Sequence, residues 1–274
     1  MAQKAKKNVK KAAAGTPKKR SPYHLCIDRV LPANLQTKGG DAAFRENESN
    51  RPKLPPALAK ALSHPGLAIA VLRKNLWQPG RTLKVRFLDG SAPQKQKVEA
   101  LAHQWSNYAN ITFTFGDDKN AEIRISFKQE GSWSAVGTDC LVEQYFPKSQ
   151  PTMNFGWLED NTDDEEYSRV VLHEFGHALG AIHEHQSPDG GIQWNVPAVM
   201  RAFSGPPNNW SPDEIKSNIL DKYSKTQTNF TNFDPDSIML YEFPADLTLN
   251  DVGTHSNSKL SSKDRAFMLK TYPK

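Results

Sequence analysis

Hydrophobic and polar positions alternate with period two along residues 82–88. Leu83, Val85 and Phe87 alternate with Lys84 and Arg86, which predicts a half-buried strand broken by Asp89-Gly90-Ser91. The period then changes. Val98, Leu101, Ala102, Trp105 and Tyr108 recur at helical spacing, so a helix is expected to about Asn110, with Trp105 in the core. Residues 111–115, 122–127 and 151–157 read as further strands. Residues 131–138 carry small side chains with a glycine near each end and read as an exposed edge strand. Thr162 and Glu165 have the spacing of a capping box, with Asp163 and Asp164 suiting the positive end of the helix that follows. Upstream, a short helix is expected over Pro56–Leu62. A strand is expected over Leu67–Leu72, pairing with 82–88 across the turn Gln78-Pro79-Gly80. After Glu184 the chain is rich in Pro, Gly, Asn and Trp. It regains order in a short helix opened by Ser211-Pro212-Asp213-Glu214 and in a closing helix over 262–272, capped by Ser261 or Ser262.

Charge divides the chain. The net charge is +5, but residues 1–20 alone carry eight Lys and Arg and no acid, so the remainder carries −3. That segment offers almost nothing to bury and is expected to be a disordered basic tail. It lacks the apolar stretch of a secretory signal, which points to the cytoplasm. No apolar run is long enough to span a membrane. A solvated extension is preferred over a contact with nucleic acid or an anionic surface, because no aromatic residue interleaves the lysines. Three parts are expected: the tail 1–20, an N-terminal extension 21–80, and a main domain 81–274.

The chemistry sits in His173-Glu-Phe-Gly-His-Ala-Leu-Gly-Ala-Ile-His183. His173 and His177 lie four apart, so a helix presents both from one face. Two imidazoles at that spacing can grip one metal ion, and Glu174 beside them can reach a water on that metal. Gly180 permits backbone angles closed to other residues, letting the chain leave the helix and return His183 as a third ligand. Three nitrogens bind zinc and leave a fourth position open, the pattern of a catalytic site. On this composition a chance match to the full pattern has a probability of about two in a hundred thousand. His24, His64, His103 and His255 lack metal spacing; His185, only two beyond His183, is expected beside the site or on the surface rather than on the metal.

These residues resemble the metzincin zinc endopeptidases. Their second hallmark, a Met-turn, is matched by Ser237-Ile238-Met239-Leu240-Tyr241, and this turn together with Glu184 after His183 resembles the astacin-like branch. The resemblance covers roughly Arg81 to the C-terminus. After Glu184 it departs, reading His185-Gln186-Ser187-Pro188, and the cysteines of the astacin disulfides are missing. It implies an α+β fold: a twisted, mostly parallel sheet with two long helices above the cleft, and an irregular C-terminal subdomain with a closing helix. It implies one catalytic Zn2+ on His173, His177 and His183, with Glu174 as general base. Met239 would lie as an apolar floor beneath the metal, and the Tyr241 hydroxyl would stabilise the oxyanion. Trp133, Ser134, Ala135 and Val136 are expected on the edge that accepts an extended peptide.

The expected activity is therefore metal-assisted hydrolysis of polypeptides by a monomer. Members of the family are usually secreted, in conflict with the missing signal. The rival reading is a catalytically weak zinc-holding protein whose basic tail binds nucleic acid or an anionic surface. Two cysteines, Cys26 and Cys140, make no disulfide framework, although one bridge between them is open. The extension reads either as a permanent wrap or as an inhibitory pro-segment. In related proteases an upstream Cys or Asp blocks the metal, and here Cys26 and Asp41 both lie upstream.

Overall fold

The computed structural model describes residues 26–52, 74–187, 191–206, 208–222 and 233–274. The basic tail, the expected helix Pro56–Leu62 and the expected strand Leu67–Leu72 lie outside them. Among the described residues six strands form one sheet: β1 Cys26–Arg29, β2 Arg81–Phe87, β3 Ile111–Phe115, β4 Ile123–Ser126, β5 Ser132–Ala135 and β6 Met153–Phe155, in the order β1-β5-β6-β4-β2-β3. Every neighbouring pair is parallel except β5 with β6. The mostly parallel sheet expected from the resemblance is present.

Two long helices cover it, α2 over Ala92–Ser106 and α3 over Asp164–Ala178. A shorter helix, α1 over Gln36–Glu46, precedes β2. α2 opens with a capping box between Ser91 and Gln94. α3 opens differently from expectation. Asp163, not Thr162, is the cap and accepts from the Glu166 N–H at 2.8 Å, while the Thr162 hydroxyl oxygen accepts from the Glu159 N–H instead. The two helices meet through Trp105, whose indole N–H donates to the Leu172 carbonyl at 3.0 Å, and Phe175 packs edge-on to Phe113 of β3. Beyond α3 the described residues are irregular around α4 Val196–Phe203 and α5 Pro212–Ile215, which runs on into a π-helical turn over Lys216–Leu220. α6 Ser262–Thr271 closes it, capped by Ser261.

Residues far apart in sequence satisfy the end of α3. The last carbonyls of a helix have no partner within it. Here the Trp77 indole donates to the Ala178 carbonyl at 2.8 Å and the Tyr272 hydroxyl to the Leu179 carbonyl at 2.6 Å. Both rings are fully buried.

The N-terminal extension is packed into this body. In α1, Gly39, Gly40, Ala42 and Ala43 are buried, and Asn47 and Asn50 bond to the carbonyls of Trp77 and Leu76. Strand β1 changes the expected edge. Cys26–Arg29 pairs in parallel with Ser132–Ala135, so β5 is bonded on both sides. Trp133, Ser134, Ala135 and Val136 are all buried, and the edge expected to be open is covered by the chain's own N-terminal strand.

Beneath α3 lies Met239, which is buried. A Cβ on Gly176 would stand 2.4 Å from its sulfur and 3.3 Å from the Trp105 ring. The absent side chain at Gly176 is what lets the Met-turn reach the helix. Gly→Ala inside a helix ordinarily gains about 1 kcal/mol. Gly176→Ala is instead expected to cost roughly 1–3 kcal/mol through overpacking. Adding Met239→Ala should recover part of that loss in a double-mutant cycle followed by urea unfolding. Strictly additive costs, or a gain for Gly176→Ala alone, would remove the packing argument.

Candidate metal centre and active site

The three motif histidines meet. His173 and His177 project from the last two turns of α3. Gly180 then adopts φ +87° and ends the helix, with the Ala181 N–H donating to the Gly176 carbonyl and the Gly180 N–H to the His177 carbonyl. This is the Schellman pattern, which needs a residue free of the Cβ penalty at that position. It returns the chain so that His183 faces the other two. The Nε2 atoms of His173 and His183 lie 3.0 and 3.1 Å from the Nε2 of His177. All three histidines are buried.

The partners of the opposite ring nitrogens decide the tautomers. His173 Nδ1 lies 2.8 Å from the Ile238 carbonyl, His177 Nδ1 2.9 Å from the Ala181 carbonyl, and His183 Nδ1 3.3 Å from the Gln186 Oε1. Each partner is an acceptor, so each Nδ1 carries the hydrogen. In the neutral ring Nε2 is then a bare lone pair. Three lone pairs within about van der Waals distance repel one another unless a cation sits among them, so this donor set fits a metal ion. Burial first, then the charge of the neighbouring His177, hold His173 and His183 well below the ordinary imidazole pKa. The neutral form is the one that binds metal.

The Met-turn supplies the frame. Its Ile238 carbonyl orients His173, and its Met239 carbonyl accepts from the Glu184 N–H at 3.0 Å. The turn is held by Asp264 in the first turn of α6, which accepts from the Ser237 hydroxyl at 2.8 Å and the Ile238 N–H at 2.9 Å. Tyr241 packs against the ligand cluster, its ring centroid 4.2 Å from that of His183. Glu184 accepts from the Asp234 N–H; burial pushes its carboxyl up to about 7.

Glu174 is fully buried beside the histidines. A ligand atom of Glu174, one of His173 and the Cys26 sulfur all lie within 4.8 Å of one another. Strand β1 therefore sets its first residue at the centre of the site. The Tyr241 hydroxyl donates to the Cys26 carbonyl. Burial, then the Glu174 charge and a hydrogen bond to Glu174, push the Cys26 thiol well above its ordinary pKa. Cys140 is also buried and free, so the open question of a Cys26–Cys140 bridge is answered against it. Asp41 is exposed on α1 and takes no part in a metal-ligating cluster among the described residues.

Comparison with known proteins agrees with this geometry. The peptidase family described as matrixin matches residues 84–190. The solved structure of myroilysin is 42% identical, with a TM-score of 0.71, over 74% of this chain and 98% of that one. The chain belongs to the metzincin family of zinc endopeptidases. The hatching-enzyme zinc-protease HCE-1 of Oryzias latipes shares the fold at 17% identity and a TM-score of 0.50, over 72% of this chain and 94% of that one. Tolloid-like protein 1 of Mus musculus is 23% identical over 64% of this chain and 16% of its own length. The chain spans between 15% and 24% of the length of the curated relatives it matches.

In this metzincin the structure brings together His173, Glu174, His177, His183, Glu184, Met239 and Tyr241, with Gly180 at the turn. Trp133–Val136 lie on the neighbouring strand and beyond its end, under β1. Sequence reasoning passed over Gly176, Asp264 and Gln186. Only Gln186 carried a signal: it stands where the chain leaves the astacin pattern.

The convergence of Nε2 atoms makes a metal prediction. Metal analysis should find about one zinc per chain. His177→Ala, which removes the nitrogen between the other two, should lose most of it. Full zinc retention in that variant would contradict the ligand set.

Proposed function

We propose that this chain hydrolyses polypeptides, with His173, His177 and His183 holding the zinc and Glu174 acting as general base. The observation that carries the reading is the set of three Nε2 lone pairs converging beside a buried Glu174 carboxylate. When bound there, zinc supplies Lewis acidity and lowers the pKa of a water towards about 7. Glu174, adjacent to the histidines and not one of them, takes the proton of the attacking water and delivers it to the departing amine nitrogen. Tyr241 already donates its hydroxyl to a peptide carbonyl, that of Cys26. The same hydroxyl serves the carbonyl oxygen of a scissile peptide as negative charge gathers on it. Strand β5 gives that peptide a backbone to pair with, through Trp133–Ala135.

That pairing requires β1 to leave. We propose that residues 26–29 are an inhibitory strand rather than a permanent wrap. Cys26 faces His173 and Glu174, its carbonyl takes the Tyr241 hydroxyl, and its strand takes the free side of β5. The boundary of inhibition falls between Arg29 and α1, because α1 and Asn50 are built into the core.

Casein cleavage with and without a chelator tests the activity. Glu174→Ala is expected to keep zinc and the folded state while losing hydrolysis by several orders of magnitude. Near-normal turnover in that variant would mean the base is misassigned. For the inhibitory strand, the full chain is compared with a version beginning at Pro32 and with Cys26→Ala. Truncation should raise activity on the order of tenfold or more, with Cys26→Ala giving a smaller rise. Folded variants with the activity of the full chain would return the segment to a structural role.

A further inference from the structure

The zinc ligands differ in how their outer nitrogens are held. His173 and His177 each donate to a backbone carbonyl, Ile238 and Ala181. His183 alone depends on a side chain, that of Gln186. This residue belongs to the stretch after Glu184 where the sequence leaves the astacin pattern.

Gln186 is buried, 2% exposed, and its amide is fixed from the other end. Its Nε2 donates to the Ser217 carbonyl at 2.7 Å and to the Asp221 carbonyl at 3.1 Å. Both partners only accept, so the nitrogen must face them and Oε1 must face His183. The carbonyls come from the π-helical turn Lys216–Leu220 and the residue after it. Such widened turns are rare and concentrate at functional sites. His185 joins the same turn, its Nε2 donating to the Asn218 carbonyl at 2.9 Å, while its ring stacks on that of His183 with centroids 5.1 Å apart. His183 is thus located by one neighbour at its Nδ1 and by another on its face, and both neighbours are anchored to residues 217–221.

We infer that Gln186 is a positioning residue for zinc: it fixes His183 as the Nδ1–H tautomer, aims Nε2 at the metal, and ties this ligand to the 216–221 turn. The inference rests on the reading that His183 is a zinc ligand. The chemistry also explains why an amide stands here. A carboxylate would accept from Nδ1–H equally well but would leave the Ser217 and Asp221 carbonyls without donors. A hydrophobic side chain would supply neither function.

The test uses the full chain and a competing chromophoric chelator at neutral pH. Three variants separate the possibilities: Gln186→Met, Gln186→Glu and His183→Ala. Gln186→Met keeps the volume and removes both functions, and zinc affinity should fall roughly 10- to 100-fold. Gln186→Glu keeps the acceptor for Nδ1–H, so its zinc affinity should stay close to that of the natural protein while the metal-free form unfolds at lower temperature. A folded Gln186→Met that holds zinc as the natural protein does overturns the inference. So does an equal zinc loss in both Gln186 variants, because the effect would then follow the 217–221 anchor and not the ligand. If Gln186→Met fails to fold, nitrogen NMR of the zinc-loaded natural protein and of zinc-loaded Gln186→Glu decides: a His183 Nδ1–H resonance that moves when its acceptor becomes a carboxylate upholds the assignment and an unmoved one overturns it. His183→Ala distinguishes the two levels. Retained zinc there defeats the ligand set itself, whereas zinc lost there but kept in Gln186→Met defeats only the role of Gln186.

Discussion

Everything at this site depends on three imidazoles being denied a choice. An imidazole free to rotate or change tautomer can turn either nitrogen inward and can satisfy itself with a neighbour. Here each Nδ1 faces an acceptor, so each Nε2 lone pair is forced toward the other two. The arrangement is unfavourable without a cation and strongly favourable with one. The cost of assembling it is carried by the rest of the fold, through hydrogen bonds that hold the rings from behind.

Those hydrogen bonds come from widely separated segments. The helix supplies two rings, the Schellman turn at Gly180 supplies the acceptor for the second, and the Met-turn supplies the acceptor for the first. The Met-turn in turn hangs on Asp264, a residue that also accepts from the N–H of Ser261, the cap of α6. The end of α3 is closed by Trp77, from the extension just before β2, and Tyr272, at the end of α6. A rigid site built in this way keeps its geometry because no single loop defines it.

The sequence made some of this legible and not the rest, for physical reasons. Residues 111–115 alternate in character and appear as a strand with the expected bounds, and α2, α3 and α6 follow from helical spacing and caps. The metal motif was readable because the spacing of its ligands is set by helix geometry within one segment. α1 was not: Gly39 and Gly40 lower its helix propensity, and it forms because small side chains pack closely in the core. Nor was β1, because a four-residue strand gets its identity from a partner more than a hundred residues away. Gly176 sits within the motif, yet its role depends on Met239, which only the folded chain brings near. The capping box at Thr162 failed because its hydroxyl oxygen accepts from the Glu159 N–H, leaving Asp163, one residue on, to cap the helix through the Glu166 N–H.

Strand β1 also changes how access to the cleft should be counted. It is joined to α1 through only a few residues, Val30 to Leu35, and α1 is fixed in the core. A segment tethered this closely to its binding edge has an effective local concentration on the order of millimolar or above. If β5 is the substrate edge and β1 the inhibitory strand proposed above, a free peptide at micromolar concentration meets an edge already held by a competitor in large excess. On that proposal, entry of a peptide would depend less on its side chains than on whatever lengthens or cuts the tether, and the rate of that event would set a ceiling on every later one.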